Sequence, residues 1–103
     1  MNFTIPTALI LQALEQGAHY GYDIMDRSGL PSGTVYPALR RLEQEGMISS
    51  KWEDASEAAQ DGRPPRRLYE LCDFGAEHLA ESRKRFRFIA KPSKVRKPGA
   101  SHA

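Results

Sequence analysis

The sequence predicts a mainly α domain with one small β-hairpin (α+β), its elements in the order α-α-α-β-β-α. Three observations predict it. Apolar residues recur at helical spacing in four segments, and Gly17, Gly29 and Gly46 punctuate the first three. Two runs of period-two alternation, around Ile48 and around Tyr69, follow the third segment. With 103 residues, there is room for one such domain and little else.

The first helix is expected over Pro6 to Gln16, with proline in the favourable first turn. Leu9, Ile10, Leu11, Ala13 and Leu14 sweep so wide an apolar arc that cover on two sides is expected, one side being a second subunit. A short helix follows from Gly21 to about Arg27, and Ser28–Gly29–Leu30–Pro31 breaks the chain. A third helix is expected to take Ser32 as its N-cap and to run to Glu45. Val35, Leu39 and Leu42 give it one apolar stripe, while Arg40, Arg41 and Gln44 point elsewhere. Met47 to Asp54 reads as a strand with Ile48 and Trp52 on one face, and Arg66 to Leu71 as its partner, with Tyr69 and Leu71 packing across from Trp52. Between them Ala55 to Pro65 reads as a mobile hairpin tip. The last helix starts near Asp73 and carries Ala76, Leu79, Ala80 and Phe86 on one side. The domain is expected to span residues 1–89, and residues 90–103 to form a basic, disordered tail.

Composition narrows the class of function. Charged residues make up 27% of the chain, and the longest apolar run, Ala8–Leu9–Ile10–Leu11, is far short of a bilayer span. No charged leader or small-residue cleavage site is evident, so the expected location is the cytoplasm, which one cysteine, Cys72, also suits. Charge is unevenly placed. Residues 1–82 hold seven basic and thirteen acidic side chains, a balance of −6, whereas residues 83–103 hold eight basic and none acidic. A segment of that sign either meets phosphate or is simply solvated.

The order of elements is that of a winged helix-turn-helix. A short helix, a four-residue turn holding Gly29 and an amphipathic helix have helix-turn-helix proportions, although an ordinary helical hairpin would share them. In such a unit the second helix enters the major groove N-terminus first. Ser32, Gly33, Thr34, Tyr36, Arg40 and Arg41 are the residues so placed. Lys51, Arg63, Arg66 and Arg67 cluster on and beside the hairpin, where cations neutralise backbone phosphate. Gly62–Arg63–Pro64 also resembles the core of minor-groove hook peptides, but phosphate contact is the plainer role.

These same residues resemble the PadR family of bacterial transcriptional regulators. The likeness is carried by Gly21–Tyr22–Asp23–Ile24, by Leu30 through Glu43, by Gly46–Met47–Ile48 with Trp52, and by Gly62–Arg63–Pro64 through Arg67, Leu68, Tyr69 and Leu71. Most specific is the Ser32–Gly33–Thr34–Val35–Tyr36–Pro37 string at a helix start. The resemblance implies a homodimeric repressor that binds a palindromic operator on double-stranded DNA, relieved by a small aromatic effector. The dimer is expected to use the first and last helices, through Leu9, Leu11, Leu79 and Phe86. Three features depart from the family pattern. Tyr20 stands where histidine often precedes the Gly–Tyr pair, and Cys72 stands where threonine usually caps the last helix, leaving Asp73 as a substitute cap. A basic, proline-containing segment occupies the place where many members carry a longer dimerisation region.

Other chemistry finds little footing. His19, His78 and His102 lie far apart without ligand spacing to Cys72, so neither a metal nor a cofactor is expected. Cys72 could sense redox state through a lowered thiol pKa, but a small half-buried residue ending a strand is the plainer reading. Asp23 and Asp26 are read as solvated or capping. Catalytic motifs are absent, and an enzyme is not expected. The alternative function is a winged helix used for protein–protein contact, which the acidic balance of residues 1–82 favours.

Overall fold

The computed structural model describes residues 4–86, and the expected tail at 90–103 lies outside them. Seven elements follow one another: α1 (Ile5–Glu15), α2 (Gly21–Ser28), α3 (Ser32–Gln44), β1 (Ile48–Trp52), α4 (Ala55–Gln60), β2 (Arg67–Leu71) and α5 (Asp73–Arg85). The expected order holds, with one short helix added inside the hairpin.

Helix α1 starts a residue earlier than expected because Thr4 caps it. The Thr4 hydroxyl accepts the Thr7 N–H at 3.3 Å, and the buried Thr7 hydroxyl donates to the Thr4 carbonyl at 3.0 Å. Its wide apolar arc needs no second subunit, since α1 packs against α2, α3, α5 and β2 of its own chain. Ile10 and Leu11 are fully buried there together with Leu79 of α5. This corrects the expected dimer contacts: Leu11 and Leu79 belong to the protomer core, and only Leu9 and Phe86 keep partial exposure. Phe86 also lies just past α5, with extended backbone. Arg83 of α5 pairs with Glu15 at the end of α1 at 2.6 Å.

Gly29 closes α2 in the left-handed region, φ +74°, and its N–H donates to the Met25 carbonyl at 2.9 Å. Pro31, not Ser32, then occupies the N-cap of α3. Pro31's carbonyl accepts the N–H groups of Thr34 and Val35, and Ser32 is the first helical residue, its side chain making no cap bond. Val35, Leu39 and Leu42 pack into the core as their spacing predicts, with Ile24, Met47 and Ile48.

The hairpin pairs Ile48 with Leu71, Ser50 with Tyr69 and Trp52 with Arg67. Ile48 and Trp52 do share a face, but only its base is covered: Tyr69 is buried, whereas Trp52 at the outer end is 63% exposed. Trp52 therefore meets the Arg67 guanidinium, 5.4 Å from its ring, and not the expected apolar pair. On its other edge β2 is tied to the segment before α2. The Tyr69 N–H donates to the His19 carbonyl at 2.7 Å, and Tyr20 bridges Leu68.

The expected mobile tip is replaced by α4. Asp54 caps it by accepting the N–H groups of Ser56 and Glu57 at 2.8 and 3.3 Å. The Ser56 hydroxyl, donating to the same carboxylate at 2.6 Å, together with these N–H bonds holds the carboxyl below the usual range. Ala58 is buried, although it lies outside the main hydrophobic cluster. Helix α5 begins with Cys72 at the N-cap and no side-chain cap bond. Asp73 is its first residue and does not replace the cap, contrary to the sequence-based expectation.

Candidate nucleic-acid interface

Two surfaces hold the residues that the sequence singled out. The first is the outer side of α3. Ser32, Gly33, Arg40 and Arg41 are exposed, Thr34 is half-buried, and Tyr36 is 43% exposed. The Tyr36 ring leans on Gly21 at the start of α2, so closely that a β-carbon on Gly21 would overlap the phenol. Absence of a side chain at Gly21 thus sets where this exposed aromatic of α3 lies. Among the described residues Arg40 and Arg41 make no ion pair, and neither does Lys51, exposed on β1.

The second surface is the wing, and it differs from an open patch of cations. The Arg63 and Arg66 guanidinium groups both grip Glu53, with closest contacts of 2.5 and 3.1 Å, and Arg63 also reaches Asp61 at 3.3 Å. Arg67 donates to Ser50 at 3.0 Å and lies 3.6 Å from Glu43 of α3, whose carboxylate accepts the Ser50 hydroxyl at 2.7 Å. Through Glu43, Ser50 and Arg67 the wing is thus fastened to α3. Among the described residues, the structure keeps Arg40, Arg41 and Lys51 unpaired while the three wing arginines share carboxylates.

Glu53, Glu43 and Ser50 were not singled out from sequence, and Tyr20 was noted there only as a departure from the family pattern, not as a site residue. Tyr22 was quoted for its motif but not as a site residue, yet it is 75% exposed beside Gly21. The Arg63 and Arg66 guanidinium groups hold the Glu53 carboxyl far below the usual carboxylate range. A depressed carboxyl contributes stability that is complete above the ordinary glutamate value and is lost as pH falls through its folded value. The contacts around Glu53 should therefore persist on acidification from about pH 7 to about pH 5. Trp52, the single tryptophan, reports it. Its emission should stay constant over that interval in the native chain and match that of Glu53→Gln only at much lower pH. A transition centred near pH 4.3, about the ordinary glutamate value, would show that Glu53 titrates freely.

The profile of the Transcriptional regulator PadR-like family matches residues 10–81. The chain belongs to this family. A PadR family transcription regulator of Clostridium difficile has the same fold, with a TM-score of 0.69 at 28% identity over 84% of this chain and 91% of that one. Bacillus subtilis PadR, solved in complex with operator DNA, gives a TM-score of 0.65 at 22% identity over 96% of this chain and 58% of that one, a likeness of fold. A probable transcriptional regulator of Mycobacterium tuberculosis is 29% identical across 96% of this chain. The chain spans about half the length of that curated relative, 50%. Among the described residues no helix is long and apolar enough to cross a membrane. The winged helix-turn-helix of this PadR-like chain thus has α2 and α3 as its helix-turn-helix, with β1, α4 and β2 as its wing.

Proposed function

We propose that this chain represses transcription by binding operator DNA, with α3 in the major groove and the wing on the adjoining backbone. The observation that carries the reading is the pair of unpaired cations, Arg40 and Arg41, on the exposed side of a helix whose N-terminal turn offers Ser32, Gly33 and Thr34. Ser32 and Gly33 allow close approach, while Thr34, Tyr36 and Arg40 face base edges and fix register. Lys51, Arg63, Arg66 and Arg67 serve the phosphates. That Bacillus subtilis PadR was solved on operator DNA supports the reading. Two copies would read half-sites roughly 34 Å apart on a palindrome, with a small aromatic ligand releasing them.

The test is selection of duplexes from a random library by the whole chain, followed by binding over a range of salt. Replacing Arg40, Arg41 and Lys51 together with alanine should make the slope of log affinity against log salt shallower by up to about 2.7, at roughly 0.9 per contact. Sedimentation with and without the selected duplex gives the stoichiometry. A second reading, a protein-binding winged helix without DNA, is favoured by the carboxylate partners of all three wing arginines. Failure to enrich any duplex, at low salt as well as high, would decide for it.

A further inference from the structure

Six donors converge on the carboxylate of Glu53, whose side chain is only 14% exposed. Its Oε1 accepts from Arg63 Nη1 at 2.5 Å, from Arg66 Nε at 3.3 Å and from the Arg66 backbone N–H at 2.9 Å. Its Oε2 accepts from Arg63 Nη2 at 3.2 Å, from Arg66 Nη2 at 3.1 Å and from the Tyr20 hydroxyl at 3.1 Å. The Arg66 guanidinium also lies over the Tyr20 ring, 3.9 Å from its centroid. Two guanidinium groups brought this close repel each other, and the shared anion holds them together. Each is gripped at two points, which fixes its plane as well as its place. Arg66 nevertheless keeps both N–H groups of Nη1, and its side chain is 45% exposed.

Glu53 immediately follows β1, Arg63 and Arg66 precede β2, and Tyr20 immediately precedes α2. One carboxylate therefore joins both sides of the wing to the entrance of the helix-turn-helix. We propose that Glu53 is a positioning residue for DNA binding: it aims the wing arginines at the phosphate backbone and, through Tyr20, fixes the wing relative to α2 and α3. Tyr20 is one of the residues that depart from the family pattern, and its hydroxyl and ring are what the joint uses. The inference rests on the DNA-binding reading.

Charge alone and positioning predict opposite signs. Removing a carboxylate beside an anionic duplex should strengthen binding by charge alone. Positioning requires Glu53→Gln to weaken it, because the arginines are then free to splay and must be ordered at the moment of binding. The whole chain is measured against a duplex that the native protein selects and against a mixed-sequence duplex. The expected result for Glu53→Gln is about tenfold weaker binding to the selected duplex, as for the loss of one charge-assisted bond. Its salt slope should be shallower by roughly 0.9, one phosphate contact. Tyr20→Phe removes one hydroxyl and should weaken the same binding about twofold to fivefold.

Amide exchange at Arg66, whose N–H donates to Glu53, shows whether the joint has opened. Opening of that amide in Glu53→Gln with affinity equal to or above native, or with a steeper salt slope, overturns the proposal. If Glu53→Gln does not fold, Tyr20→Phe decides by the same affinity criterion, native-like binding being the overturning result. A native chain that enriches no duplex defeats the DNA-binding reading and this inference with it. Native-like binding by the variants of a chain that does select DNA defeats the inference alone.

Discussion

Gly75→Ala is expected to lower stability by about 2–3 kcal/mol, because the added methyl meets backbone and not a movable side chain. Gly75 is buried in the first turn of α5, and a β-carbon there would overlap the Met47 carbonyl oxygen and lie 2.9 Å from Leu71 Cδ1. That carbonyl already accepts the Cys72 N–H at 2.9 Å, a bond that holds the entrance of α5 against the start of β1. To admit a methyl, α5 must draw away from β1. Leu79, fully buried one turn further along α5, then loses part of its cover. Alanine's better helix propensity, worth up to about 1 kcal/mol, offsets only part of this. In a domain of this size the melting temperature should fall by roughly 10–20 °C. Gly33→Ala is the control, since its β-carbon meets nothing within 4 Å, and its thermal unfolding should match or exceed native. A Gly75→Ala melting curve that overlays the native one would show that α5 is not seated on Met47.

Residues whose meaning is local were legible in the sequence. The stripe of Val35, Leu39 and Leu42 and the turn at Gly29 depend on spacing and backbone conformation within one helix or turn, so they read directly. The start of α4 carried a readable signal as well, an Asp54 cap with Glu57 three residues on, but the prolines that follow drew the segment toward a loop. Glu53 had no such signal. Its partners are Tyr20, Arg63 and Arg66, from 33 residues before it to 13 after it, and only the folded wing brings them together. The width of the α1 arc was correctly read as needing cover on more than one side. Which surface supplied it was not readable, because α2, α3, α5 and β2 all reach α1 through tertiary packing. Basic residues counted along the wing likewise overstated its free charge, since counting cannot show that carboxylates such as Glu43, distant in sequence, fold back onto them.

Gly21→Ala should leave the fold intact and impair DNA recognition. The β-carbon it adds would overlap the hydroxyl, Cζ and Cε1 of Tyr36, and these are the far end of a half-exposed side chain. A tyrosine can swing about its χ1 and χ2 where a backbone carbonyl cannot move, so unfolding should change by less than about 1 kcal/mol. What changes is the position of the phenol on the outer side of α3. If Tyr36 contacts a base or sets the register of α3, affinity for the selected duplex should fall by about 1–3 kcal/mol, roughly fivefold to 150-fold. Affinity for mixed-sequence duplex, carried by phosphate contacts, should hardly move. The double variant Gly21→Ala with Tyr36→Ala isolates the cause. With the phenol gone, alanine at position 21 has nothing left to displace, so the double variant should bind as Tyr36→Ala does alone. Additive losses would mean that Gly21 acts through the path of α2 itself. Native-like binding by Gly21→Ala would reduce Tyr36 to a packing residue and leave base recognition to Thr34 and Arg40.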